Sequence, residues 1–121
     1  MADILDVRVV IKRNGRDVTG FHYQKRMVVD ELQQFSYEKA TGGGYETLPT
    51  TQIATVQALV LTADQSISLR LDGQSDAGIT LNAGGLLLVL DSNLDAGVST
   101  NATLDNSSGS TANITGLGAG T

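Results

Sequence analysis

Strict alternation of apolar and polar residues is the clearest pattern in this chain. In "SISLRLDG", Ile67, Leu69 and Leu71 alternate with Ser68, Arg70 and Asp72, a period of two that places the aliphatic set on one face of a half-buried strand. "VSTNATLD" repeats it, with Val98, Thr100, Ala102 and Leu104 opposite Ser99, Asn101, Thr103 and Asp105, and "TANI" puts Ala112 and Ile114 together. "NSSGS" lies between these two runs and supplies turn residues, so the pattern predicts a hairpin. "LLLVL", residues 86–90, has no alternation, as in a strand covered on both faces. Gly84 and Gly85 before it mark a tight turn or bulge, and the pattern predicts the central strand.

Upstream, "DVRVVIKR" and the stretch around "FHY" flank Asn14-Gly15, the dipeptide most favoured in two-residue hairpin loops. A first hairpin is expected there. "VVDELQQFSYEKA" supports two periods: Asp30 with Gln33 imitates a capping box and Val28, Leu32 and Phe35 fit a helical face, yet Phe35 and Tyr37 alternate as in a strand. A short helical turn followed by a strand is the expectation. "TGGGYETLPT" holds three consecutive glycines and the single proline, which cannot sit inside a regular element. It divides the chain into an N-terminal hairpin and arm, residues 1–46, and a body, residues 47–121. Short strands separated by turn signals, without the helical segments of βαβ units, predict an all-β fold, an antiparallel β-sandwich. "LDGQSDAGIT" and "LDSNLDAGVS" echo each other nineteen positions apart. Two units fall short of a solenoid and read as two similar turns of one sandwich.

Charge and aromatic content sharpen the division. Residues 1–46 hold seven of the eight Lys/Arg and seven of the thirteen acids, whereas residues 47–121 hold Arg70 against six Asp. All five aromatics, Phe21, Tyr23, Phe35, Tyr37 and Tyr45, are also in the first part. A body without aromatics has a thin core of Leu, Ile, Val and Ala. Covering by another subunit would help it, so a homo-oligomer, a trimer or larger ring, is expected. The 121 residues suit one compact domain. The longest apolar run is five residues and the N-terminus has no charged apolar leader, so neither a membrane partner nor secretion by a cleaved signal is expected. The net charge of −5 argues against nucleic acid as a partner.

Little in the chain suggests a reaction. There is no cysteine and His22 is the single histidine, so thiolate chemistry and multi-histidine metal sites are out of reach. Asp91, Asn93 and Asp95 repeat the opening of a calcium loop, but Ala96 stands where Gly is needed and Ala102 where the bidentate Glu belongs. Neither catalytic residues, nor a cofactor, nor a metal site is expected. The remaining candidates are for docking: Lys12, Arg13, Arg16, Lys25 and Arg26 gather five of the eight cations, and with Phe21, Tyr23, Phe35, Tyr37 and Tyr45 they are the residue types that dominate interfaces. Such a cluster is a solvated edge that resists aggregation or a dock, for an acidic protein surface first and for packaged nucleic acid second.

"QSISLRLDGQSDAGITLNAGGLLLVLDSNL" followed by "NATLDNSSGSTANITGLGAGT", within Thr55–Thr121, resembles small virion structural proteins of tailed bacteriophages with jelly-roll-like domains. The resemblance is one of style. It implies a symmetric, non-enzymatic subunit located in the virion and assembled in the host cytoplasm. Such a subunit either decorates and cements the capsid by binding the major capsid protein, or joins the neck or tail proteins as an adaptor, ring or fibre-associated component. "LNAGGLLLVL" is also similar to the glycine turn of cupins, whose metal needs several histidines where this chain has one.

Overall fold

The computed structural model describes residues 3–18, 21–50, 53, 55–71, 78–90 and 102–121. These residues form an all-β sandwich with a β-hairpin arm, and every strand pairing among them is antiparallel.

The arm comes first. β1 (Asp3–Val9) pairs with β4 (Tyr23–Val29), and β2 (Lys12–Arg13) pairs with β3 (Arg16–Asp17) at the tip. Asn14 and Gly15 both have positive φ, 53° and 80°, the type I′ geometry whose twist matches that of the flanking strands. The hairpin expected from Asn-Gly is therefore present.

After a bend at Asp30, the chain enters the sandwich as β5 (Glu31–Lys39). It continues with β6 (Glu46–Thr47), β7 (Val56–Ala63), β8 (Ile67–Arg70), β9 (Ile79–Leu81), β10 (Leu86–Val89), β11 (Thr103–Asp105) and β12 (Ala112–Gly120). One sheet has the order β10-β7-β12-β5 and the other β6-β11-β8-β9. From β5 onward the chain changes sheet at every connection except β8 to β9.

This alternation between sheets corrects several expectations. No helical turn precedes β5: Asp30 donates its N–H to the Gly120 carbonyl at 2.9 Å, which holds the chain extended as it passes from arm to sandwich. Residues 31–47 supply β5 and β6 to the two sheets, so strand pairing divides arm from sandwich at Asp30. The glycines of "TGGGYE" carry the chain from one sheet to the other, with positive φ at Gly42 and Gly44. "NSSGS" likewise crosses between sheets, because β11 pairs with β6 and β8 while β12 pairs with β5 and β7. It does not turn a hairpin. β10 is an edge strand, and the central strands of its sheet are β7 and β12. "SISLRLDG" follows its pattern, with Ile67 and Leu69 fully buried.

The C-terminal "GLGAG" is the surprise. It is the end of a central strand, where small residues are required. A Cβ at Gly116 would meet the Phe35 ring and the Val60 carbonyl, and one at Gly118 would lie 2.7 Å from Thr50 Cγ2. The main core joins Leu48, Ile53, Leu59, Leu61, Ile67, Leu69, Leu104 and Ile114 with Phe35, while Tyr37 packs against it from β5. Thus the aromatic-free body receives its aromatics from the strand that precedes it.

The sheet crossing after β11 is fixed by Asn106, which is buried. Its Nδ2 donates to the carbonyls of Lys39 and Ser110, both at 2.8 Å, and its Oδ1 accepts from Ser108 N and Oγ. All the polar capacity of the amide is used, as burial demands.

Candidate docking surface

The arm alternates faces along both strands. Leu5, Met27 and Val29 lie inward and form a second, small core with Ala58, Ala119, Leu117 and Leu90. This core covers one end of the outer face of the β10-β7-β12-β5 sheet. The opposite face of the arm is exposed and carries Ile4 across from Val28, and Asp6 across from Arg26. Arg26 Nε donates to Asp6 Oδ1 at 2.8 Å. The hydrogen bond and charge of Asp6 raise the pKa of Arg26 above its ordinary value.

Farther out, Val9, Phe21 and Tyr23 face Leu88 and Leu90 across a shallow apolar groove. Beyond it is the tip, where Val18 N–H donates to the Ile11 carbonyl at 3.0 Å. A cleft at the tip is lined by arm residues alone, among them Arg8, Val10, Lys12, Phe21 and His22. Val10, Ile11 and Phe21 are 56, 48 and 45% exposed, beside the exposed cations Lys12, Arg13 and Arg16. Residues 1–29 contain six Lys/Arg and three Asp, a net +3; residues 30–121 contain two Lys/Arg and ten Asp/Glu, a net −8.

The structure therefore separates the sequence candidates into two groups. Lys12, Arg13, Arg16 and Phe21 meet at the tip, Tyr23 lines the groove, and Lys25 and Arg26 lie midway along the arm on opposite faces. Phe35, Tyr37 and Tyr45 belong to the sandwich. The Phe35 and Tyr37 rings are 6.1 Å apart, and burial, followed by the charge of Glu46, pushes the Tyr37 hydroxyl up to about 12. Tyr45 stacks under Arg70, whose guanidinium carbon is 4.0 Å from the ring centroid, and shares a 2.6 Å hydrogen bond with Ser68 Oγ. Phe35 and Tyr37 thus pack in and against the core, whereas Tyr45 lies with Ser68 and Arg70 on the face of β8 away from it.

A second surface escapes sequence reading. The outer face of the β10-β7-β12-β5 sheet, the large sheet by its longer strands, is open at the end away from the arm, where Leu86 on β10 is 61% exposed and Ser36 and Thr115 are exposed. Its rim carries Glu38 and Asp64. Asp64 accepts from the backbone N and the Nδ2 of Asn113, both at 2.8 Å, and these hydrogen bonds hold its carboxyl below the ordinary range. The sequence signal is faint: Asn113, Thr115 and Leu117 alternate with residues that face the core, but only the strand order shows which residues they join.

Asp91, Asn93 and Asp95 lie outside the described residues, as do most residues of the two echoing turns. Among the described residues, no group of three or more His, Asp or Glu is placed to hold a metal ion. The chain matches no family model, no curated protein and no solved structure.

Proposed function

We propose that this chain is a structural subunit of a tailed-phage virion, without enzymatic activity. It would be a capsid decoration or cement protein, acting as a homo-oligomer of three or more copies that adds contact area between shell subunits. The observation that carries the reading is the arm. A two-stranded ribbon is anchored by its base on the sandwich and presents Val10, Ile11 and Phe21 among cations at its far end. Large apolar side chains beside Arg are the composition of an interface core, and a subunit that assembles by arms can reinforce a shell. The style of the body, from Thr55 to Thr121, supports the same class.

The test is location. Purified virions from the source of this chain, labelled with an antibody against it and imaged by electron microscopy, should carry label over the whole head. Label confined to a ring at the neck or to the tail would move the subunit there. Particles without label would overturn the reading.

A further inference from the structure

We propose that the arm tip of one copy seats on the open end of the outer sheet face of the next copy, a head-to-tail contact between two different surfaces of the same chain. The inference rests on the reading of the chain as a self-assembling subunit, and it identifies the two surfaces that meet.

The acceptor is defined by the register of the large sheet. Across its outer face, Leu86 lies opposite Thr62, Thr62 opposite Thr115, and Thr115 opposite Ser36. One step along, the row is Leu88, Val60, Leu117 and Gln34, and one more step brings Ala58, Ala119 and Leu32. The chain's own arm base packs on Ala58 and Ala119 of the last row, leaving Leu32 at its edge exposed, and touches the middle row through Leu117. The first row is left open, with the exposed Leu86 at one side and a shallow depression lined by Gln34, Ser36 and Thr115 at the other. Beyond it lie Asn113, Glu38 and Asp64, the acidic rim.

The tip is the complement of this surface. It offers Val10, Ile11 and Phe21 for the aliphatic and hydroxyl row, and Arg13 with Arg16, cross-strand partners at the turn, for Glu38 and Asp64. The charge division supports the same match: an arm of +3 attracts a sandwich of −8, and opposed potentials both speed encounter and fix register. Phe21 lines both the groove that sets the outer arm beside Leu88 and Leu90 of its own sandwich and the cleft at the tip, whose walls, with Val10, Ile11 and Lys12, are arm residues alone. The tip is thus presented outward. A contact between two different patches is heterologous, and it closes into a ring when the rotation per subunit divides a full turn.

The absence of cysteine from the chain makes a cross-linking test direct. Arg16→Cys and Ser36→Cys, in one full-length chain and oxidised mildly, should give a ladder of covalent multimers that collapses on reduction. Each single variant should give no more than a trace of dimer. A double variant that resembles the singles would overturn the proposal. Light scattering supplies an independent arm. Arg16→Glu and Glu38→Arg should each weaken assembly by about tenfold or more, increasingly so at low salt, and the two together should restore most of the loss. Two weakened singles without rescue would overturn the pairing. An oligomer indifferent to all of these changes would assemble through another surface, which defeats this inference and leaves the virion reading to the labelling experiment.

Discussion

The arm and the sandwich are made of the same alternating strands, yet they use alternation differently. In the sandwich each strand has a sheet opposite it, so Leu59, Leu61, Ile67, Leu69, Leu104 and Ile114 are all buried to within one per cent. In the arm only the base has a cover, and Met27 and Val29 are its buried apolar residues. The same pattern leaves Ile4 and Val28 in solvent on the outward face of the base, and Val10, Ile11 and Phe21 in solvent at the far end. Scattered exposed apolar residues need no explanation, but a contiguous group at the end of a ribbon marks a surface for contact. Alternation therefore specifies that a face wants a cover, while the topology decides whether the chain itself supplies one.

The largest expected effect breaks the comparison at its boundary. Deleting residues 1–29 removes the arm and uncovers Ala58, Ala119, Leu117 and Leu90 but none of the main core, so the sandwich should keep a cooperative thermal transition and a strand-type circular dichroism spectrum at a lower melting temperature. Deleting residues 1–44 also removes β5, its pairing along all of β12, and Phe35 from the core. That chain should be unfolded. If both truncations melted alike, the division at Asp30 would be wrong.

Next in size are substitutions on β12. A Cβ at Gly120 would run into the Thr55 carbonyl, and one at Gly116 would sit 2.5 Å from the Val60 carbonyl with the Phe35 ring beside it. Backbone cannot yield as a flexible side chain can, so Gly116→Val and Gly120→Val should cost more than the usual 1–3 kcal/mol of overpacking, in rough terms. Both should be recovered, if at all, as insoluble protein. Gly109→Ala, where nothing lies within 4 Å, is the control and should melt normally.

The same strand shows where the sequence was legible and where it was not. Period-two runs such as Ile67, Leu69 and Leu71, and the Asn14-Gly15 turn, carry their structure locally, and both appear as expected. The sheet to which a strand belongs is not local. "NSSGS" has the composition of a hairpin turn and crosses between sheets instead, because Asn106 reaches back to the Lys39 carbonyl, sixty-seven residues away. "GLGAG" has the composition of a tail, yet it lies between β5 and β7, and neighbouring atoms leave no space for a side chain at Gly116, Gly118 or Gly120. "LLLVL" breaks alternation although β10 is an edge strand: Leu87 and Val89 pack on the core, and Leu86 and Leu88 share the outer face with the arm and the open row. Of the sequence candidates for docking, Lys12, Arg13, Arg16 and Phe21 come together at the tip, while Lys25 and Arg26 lie midway along the arm. The structure places Phe35 and Tyr37 with the core and Tyr45 beside Ser68 and Arg70, and the letters alone do not tell an aromatic packed on its own chain from one that is exposed.

Asn106 gives the third test. Asn106→Ala would remove the donor to the Lys39 carbonyl in a buried site and the acceptor of Ser108 N in a part-buried one, while the Ser110 carbonyl keeps Ser108 Oγ as a donor. Loss of partners for buried groups costs about 1–3 kcal/mol each, so a melting point lower by several degrees is expected. Asn106→Asp should not rescue it, because a carboxylate cannot donate to either carbonyl. Equal stability of Asn106→Ala and the parent would remove the argument that this amide fixes the crossing.

Alkaline pH separates the two regions more gently. The Tyr37 hydroxyl has its folded pKa raised to about 12 from an ordinary 10, by burial first and by Glu46 second. A raised folded pKa contributes stability that is complete below the unfolded value and declines as pH rises from about 10 through about 12. The parent should therefore lose stability across that window, and Tyr37→Phe should lose less of it. An identical decline in both would assign the alkaline loss to other groups.

The smallest effect belongs to the arm's outward face. Arg26 and Asp6 form a short ion pair, 2.8 Å from Nε to Oδ1, but their side chains are 71 and 55% exposed. In water at physiological salt the attraction between such groups is screened, and ordering two mobile side chains offsets much of what remains. Their pairing couples β1 to β4, which the backbone ladder from Asp3–Val29 to Val9–Tyr23 already joins. Arg26→Gln should accordingly leave the melting temperature of the full chain unchanged within error, at low and at high salt. A clear salt-dependent drop would mean that the ribbon depends on its outer charges to remain closed, and the arm would then be a far looser structure than the sandwich that carries it.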